Sequence, residues 1–226
     1  MRGVFDIIGP VMIGPSSSHT AGAARLGLMV GKILGERAVR AEILLHGSFA
    51  QTYRGHGTDK ALIGGIMGFG PEDMRLREAL TLAQEAGLVY SFAPVDIPEA
   101  HPNTAVIKLT GEKGRVIQIE GASVGGGNIR ITKIGDFDVD LTGQYPALII
   151  VHKDRPGVVN GVTSILARYK INIAYMRVSR KMRGQEALMI VETDDELSTE
   201  VVEDCCEIPR LLTAFAIPAI GGGSTI

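Results

Sequence analysis

The sequence predicts an α+β chain of two domains. A mixed α/β part, residues 1–143, precedes a ferredoxin-like βαββαβ part, residues 147–219, and residues 220–226 form a tail. Three observations carry this division. Of 29 glycines, 23 lie in residues 1–143 and 6 from 144 onward. His19, His46, His56 and His101 fall in the first part and only His152 in the second. After Gly143-Gln144-Tyr145-Pro146, a turn-rich joint, the hydrophobic pattern runs strand, helix, strand, strand, helix, strand.

The elements of the first part follow in order. Ala21 to Leu34 carries apolar residues at helical spacing, with Thr20 or Ser18 as cap and Gly35 as stop. Ala41 to Leu45 suits a buried strand. Ser48 to Tyr53 and Thr58 to Met67 read as two helical pieces broken by Gly55-His56-Gly57. Glu72 to Glu85 is a helix closed by Gly87. Strands are expected at 88–94, 104–109, 115–120 and 128–134, with a hairpin turn at Gly111 to Gly114 and a bend at Gly125-Gly126-Gly127.

In the second part Ala147 to Val151 is a strand and Gly157 to Tyr169 a helix. Ile171 to Arg180 and Glu186 to Glu192 are strands around Gly184. Ser198 caps a helix to Cys206, and Leu211 to Ile217 is the last strand. The terminal Gly-Gly-Gly-Ser-Thr-Ile has linker composition.

Composition narrows the function. With 226 residues, 45% hydrophobic and 21% charged, the chain can bury a core, and a formal net charge of -2 disfavours a nucleic-acid partner. No apolar run reaches a membrane span, and the opening residues show no signal-peptide pattern, so a cytoplasmic protein is expected. The two cysteines, Cys205 and Cys206, are adjacent. Alone they cannot supply a cysteine zinc site or the ligands of an iron–sulfur cluster, and on a helix they read as packing residues.

The chemistry concentrates in loops. Gly14-Pro15-Ser16-Ser17-Ser18-His19-Thr20-Ala21-Gly22 places four hydroxyls and an imidazole ahead of a helix. Free N–H groups and hydroxyl donors there suit a carboxylate or phosphate; a plain serine cap is the duller reading. His46-Gly47-Ser48, Gly55-His56-Gly57-Thr58-Asp59 and His101-Pro102-Asn103-Thr104 follow. Each alone reads equally as a polar turn. Together, four imidazoles in glycine or proline loops beside an anion-holding segment fit proton abstraction from a small carboxylate-bearing substrate. No HExxH or CxxC spacing supports a metal site, and none is assigned to this chain. In the second part, Asp154-Arg155-Pro156-Gly157-Val158-Val159-Asn160 joins strand to helix. It reads as a Pro-Gly turn or as a loop for a ligand carboxylate.

These residues resemble a known family. The run from Phe5 to Thr20, the segment Tyr53-Arg54-Gly55-His56-Gly57-Thr58-Asp59, the motif His101-Pro102-Asn103-Thr104 and the triplet Gly125-Gly126-Gly127 resemble the β chain of iron–sulfur-dependent L-serine dehydratase, in the same order. The likeness covers nearly the whole chain. The first part is similar to the allosteric substrate-binding domain of some phosphoglycerate dehydrogenases, and the second, with Asp154-Arg155-Pro156-Gly157, resembles an ACT domain. The resemblance implies conversion of L-serine to pyruvate and ammonia, with a 4Fe-4S cluster polarising the leaving hydroxyl. Two adjacent cysteines cannot hold that cluster, so it is expected on a partner α chain. No pyridoxal-phosphate lysine motif is evident.

The site residues expected on this basis are His19 and His56 for acid/base work. Ser16, Ser17, Ser18, Thr20, His46, Ser48, Thr58, Asp59, His101 and Asn103 are expected to bind substrate. Asp154, Gly157, Val158 and Asn160 are expected to bind an amino-acid effector, L-serine among the candidates. A homodimer through the ACT part is expected. Two other function classes compete: a non-catalytic amino-acid or anion sensor, and a self-sufficient metal hydrolase. A sensor has no need of several imidazoles in glycine loops, and a hydrolase would work without a partner.

Overall fold

The computed structural model describes residues 12–221. The opening motif residues Phe5 to Val11 and the tail from Gly222 lie outside the described residues. The chain divides into two compact units between Gly135 and Asp136.

The first unit is a mixed sheet covered by helices. A π-helical turn, Ser17–Gly22, runs into α1, Ala23–Leu34. The left-handed Gly35, φ 73°, ends that helix. Then come β1 (Ala38–Leu45), α2 (Gly47–Thr52) and α3 (Thr58–Ile66). A 3₁₀ turn, Met74–Glu78, leads into α4 (Ala79–Glu85), so the helix expected over 72–85 begins as 3₁₀. Strands β2 (Val89–Pro94), β3 (Thr104–Gly111), β4 (Val116–Gly125) and β5 (Asn128–Ile134) complete the unit.

Within the unit the strands lie in the order β2-β1-β3-β4-β5. β1 pairs parallel with β2 and antiparallel with β3, and the meander β3-β4-β5 is antiparallel throughout. The parallel pair needs a crossover, which α2, α3 and α4 supply.

Two helices set the core. α1 carries Leu26, Met29, Val30, Ile33 and Leu34 fully buried or nearly so, and α3 carries Ala61, Leu62 and Ile63. They cross at backbone distance. A Cβ on Gly27 would stand 2.2 Å from the Leu62 carbonyl oxygen, and one on Gly65 would stand 2.1 Å from that of Ala24. Glycine there is a packing requirement. It holds α3, and with it the His56 loop, against the helix that begins at the serine-rich turn.

The second unit opens with β6 (Phe137–Leu141), a strand missing from the sequence reading. Its five residues, Phe137-Asp138-Val139-Asp140-Leu141, alternate apolar and acidic, a short strand pattern that the reading passed over beside the Gly143 turn. β7 (Ala147–Lys153), α5 (Val158–Arg168), β8 (Ile173–Arg180), β9 (Glu186–Thr193), α6 (Thr199–Cys206) and β10 (Leu211–Ile217) follow in the expected order. The sheet order β10-β7-β9-β8, all antiparallel, is the ferredoxin-like plan. Leu148, Ile150, Val158, Val162, Leu166, Met189, Val191, Val201 and Cys205 form its core.

Burial raises the Cys205 thiol to about 11, with Cys206 and Asp204 adding to it, while Cys206 is exposed. Glu192 sits at the end of the apolar run of β9, 6% exposed. Burial, and then Asp140, push its carboxyl up to about 7. Among the described residues, no helix is long and apolar enough to cross a membrane.

Candidate functional site

The serine-rich segment enters the first unit at Gly14, whose φ is +138° and where a Cβ would lie 2.5 Å from the Thr20 side chain. The chain then turns at Ser16, extended at φ -140° and ψ 127°. The Ser16 hydroxyl accepts the backbone N–H of His19 at 3.1 Å. The cap is therefore Ser16, not Ser18 or Thr20. Ser17 and Ser18 are half-buried in the π-helical turn itself. A single π turn widens the helix and re-aims side chains.

That turn aims His19 at α2. His19 Nε2 lies 3.1 Å from Ser48 Oγ and Nδ1 lies 3.4 Å from Ser16 Oγ. In either neutral tautomer one ring nitrogen donates and the other accepts, so the imidazole links the two hydroxyls. The ring packs edge-on to Phe49, centroids 5.3 Å apart, and to His56, 4.8 Å apart at 79°. Burial, and then the nearby His56, lower the His19 pKa, while a hydrogen bond to the Ser48 backbone opposes the shift. His19 is thus held neutral at physiological pH.

The His56 loop closes the other side. Thr20 Oγ1 donates to the His56 carbonyl at 3.4 Å. His56 itself is exposed, between Gly55 and the left-handed Gly57 that starts α3. Thr58 is fully buried and its hydroxyl has no hydrogen-bond partner. Asp59 is buried at the same helix start, and its carboxylate accepts the Lys60 N–H at 2.8 Å. Burial raises the pKa of Asp59, against the pull of that hydrogen bond and of Lys60 and Arg54.

The remaining expected residues divide. Asn103 belongs with the cluster: Ser123 N–H donates to its carbonyl at 3.0 Å, and its side-chain Oδ1 is buried without a partner. Ser123 in turn touches the serine-rich turn, since a Cβ on Gly22 would stand 2.0 Å from Ser123 Oγ. His46 and His101 serve turns instead. His46 Nδ1 accepts the Ile97 N–H at 3.2 Å, with Asp96 3.6 Å away. The exposed His101 accepts the Asn103 N–H at 3.1 Å.

Two residues escaped the sequence reading. Ser123 lies mid-strand on β4 with its hydroxyl buried and unpartnered. Arg25, 8% exposed on α1, donates through Nη1 to the Gly127 carbonyl at 3.0 Å. Its signal was a charge in the first turn of a helix otherwise small and apolar up to Lys32. Buried polar atoms normally find partners, so unpaired atoms on Thr58, Asn103, Ser123 and Arg25 mark this region as built around something polar.

In the second unit Asp154 is occupied within the fold. Its Oδ2 accepts Gly184 N–H at 2.9 Å and Arg180 Nη1 at 2.8 Å. Those two bonds hold its carboxyl below the usual range. Val158 packs into the core and also borders the groove that its neighbours line. Gly157, left-handed at φ 95°, and exposed Asn160 line a groove of about 650 Å³ that reaches Arg168, Asp204 and Arg210.

The cysteines do not fit an iron–sulfur cluster. One is buried with a raised pKa, the other is exposed, and among the described residues no three metal-binding side chains converge.

Comparison with known proteins identifies the family. The family model described as serine dehydratase beta chain matches residues 3–133, and the ACT domain model matches residues 147–205. A probable L-serine dehydratase beta chain of Bacillus subtilis is 44% identical over 216 residues, 96% of this chain and 98% of that protein. The L-serine dehydratase beta chain of Peptoniphilus asaccharolyticus is 35% identical, over 93% and 95% respectively. A D-3-phosphoglycerate dehydrogenase of Synechocystis is 26% identical over 86% of this chain but only 35% of its own length. Matched by the family model over more than half its length, and by two beta chains along nearly all of it, the chain belongs to the serine dehydratase beta chain family and ends in an ACT domain.

Proposed function

We propose that this chain is the β subunit of a two-chain L-serine dehydratase, contributing substrate-binding and acid/base groups to a site completed by an α chain. One observation carries the reading. His19 sits within reach of the Ser16 and Ser48 hydroxyls with a second imidazole, His56, 4.8 Å from its own. A site of hydroxyl donors around a neutral imidazole suits a small carboxylate whose Cα proton must leave.

In this reading the hydroxyls of Ser16 to Ser18, Thr20 and Ser48 orient the carboxylate. Thr58 and Asn103, with unpaired buried atoms, stand ready as further donors or acceptors. His19, neutral because it is buried beside His56, accepts the Cα proton, and exposed His56 passes protons to solvent. Loss of that proton and of the β-hydroxyl gives an enamine. Its tautomer, the imine, is hydrolysed to pyruvate and ammonia. His46 and His101 act through the turns they brace. The 4Fe-4S cluster belongs on the α chain, because this chain's thiols do not fit it.

The ACT part is proposed as a regulatory and dimerising unit, with the divisions 1–143 and 147–219 as working domains. Gly157 and Asn160 line the groove offered to an amino-acid effector, while Asp154 shapes the loop from within. β8 is an edge strand with Tyr175, Met176 and Val178 exposed, a surface suited to a second copy.

The test is reconstitution. The chain mixed anaerobically with a cluster-loaded α chain should form pyruvate from L-serine, and each chain alone should not. Turnover by this chain alone, or an inert mixture of well-folded chains, overturns the reading.

A further inference from the structure

The glycine triplet between β4 and β5 is tied to the catalytic turn by one buried cation. Gly125, Gly126 and Gly127 all have positive φ, at 100°, 61° and 79°. Three such residues carry no side chain to fix their path, and glycine has the most conformational freedom to lose. Their course depends on anchors. On one side Ser123 N–H is bonded to the Asn103 carbonyl. On the other the Gly127 carbonyl accepts Arg25 Nη1 at 3.0 Å, in a buried bond.

Arg25 sits three residues after Gly22, so the two share a face of the helix that leaves the serine-rich turn. Gly22 touches Ser123, two residues before the triplet. The turn bearing His19 and the triplet are therefore joined twice, through Gly22–Ser123 and through Arg25–Gly127.

A neutral amide could hold one carbonyl without burying a charge. An arginine only 8% exposed is a costly choice for that task alone. Its carboxylate neighbour is Glu72, on an exposed loop, and its Nε has no partner. The positive charge also stands beside the turn assigned to a carboxylate.

We propose that Arg25 is a positioning residue that clamps the Gly125–Gly127 bend against the His19 turn and so fixes one wall of the substrate site. The link to substrate rests on the serine dehydratase reading above; the clamp itself does not.

The test uses Arg25→Gln and Arg25→Lys in the full-length chain, with and without the α chain. Hydrogen–deuterium exchange should show the amides of 124–128 at least ~10-fold faster in R25Q, with β7 and β9 unchanged, because the bend opens locally. R25K, which keeps the charge and a single donor, should fall between R25Q and wild type, and it remains informative if R25Q fails to fold. In the reconstituted enzyme KM for L-serine should rise about 10-fold with kcat within about 2-fold, the pattern of lost positioning. Unchanged exchange at 124–128 in either folded variant overturns the clamp. Faster exchange with unchanged KM overturns its role as a wall of the site. If wild-type chains turn over no serine, the functional reading fails while the exchange result still decides the clamp.

Discussion

The imidazoles of His19 and His56 meet edge to face with centroids 4.8 Å apart, one half-buried and one exposed. The pair joins residues 37 positions apart through the Thr20–His56 hydrogen bond and the α1–α3 crossing. A charge on His56 disfavours a proton on His19.

The first prediction concerns this coupling. His19 should titrate below its ordinary 6.5, since burial and His56 both lower it. His56→Ala should move its midpoint up. NMR titration of the His19 ring proton checks the direction. The base form exists above the midpoint, so turnover that depends on it should fall as pH drops through that value.

The second prediction concerns the frame. Gly65→Ala puts a methyl 2.1 Å from the Ala24 carbonyl and 2.7 Å from the Leu28 nitrogen, both backbone atoms. α1 and α3 must separate, at a cost of about 2–3 kcal/mol. Thermal unfolding should show Tm lower by about 5–10 °C. Gly55→Ala meets only the Thr52 carbonyl, at 3.8 Å, and should change Tm little.

Much of this was legible in the sequence because local chemistry decided it. The βαββαβ order followed from hydrophobic periodicity and turn residues, and the serine-rich turn announced itself by hydroxyl density. The cap was misplaced by two to four residues, because a π turn, which no spacing rule anticipates, moved the start of the helix to Ser16. β6 alternates apolar and acidic residues but spans only five, and it was passed over beside the Gly143 turn. Ser123 and Arg25 escaped because their meaning is tertiary: one lies opposite Gly22 and the other opposite Gly127. His19 and His56 were set apart from His46 and His101 through the family resemblance, but the turn-bracing bonds of His46 to Ile97 and of His101 to Asn103 were not legible, since all four histidines sit in similar loops.

The third prediction is a pH effect on the ACT unit. The Glu192 carboxyl is raised from 4.5 to about 7 by burial and Asp140, so the folded state holds a proton that the unfolded state releases. Its contribution is fully present below pH 4.5 and is lost as pH rises through about 7. Between pH 5 and 8 the loss is about 2–3 kcal/mol. Glu192→Gln should flatten that decline in denaturant unfolding curves. An equal slope in both proteins would contradict it.

The fourth prediction separates the cysteines. Cys206 is exposed, whereas Cys205 is buried with its thiol near 11. A thiol reagent at pH 8 should label one cysteine per native chain, at Cys206, and both after denaturation. Mass spectrometry of the labelled peptide checks this. Rapid native labelling of Cys205 would show that α6 does not pack as described.

The central claim is that this chain carries acid/base chemistry into a composite site, and single replacement of its paired imidazoles tests it most directly. With the α chain present, His19→Ala should lower kcat for L-serine by about 10²–10⁴-fold, the usual contribution of a positioned acid/base group. His56→Ala should lower it less and shift the pH profile. Near-normal kcat in both variants would contradict the account and leave this chain a binding subunit only.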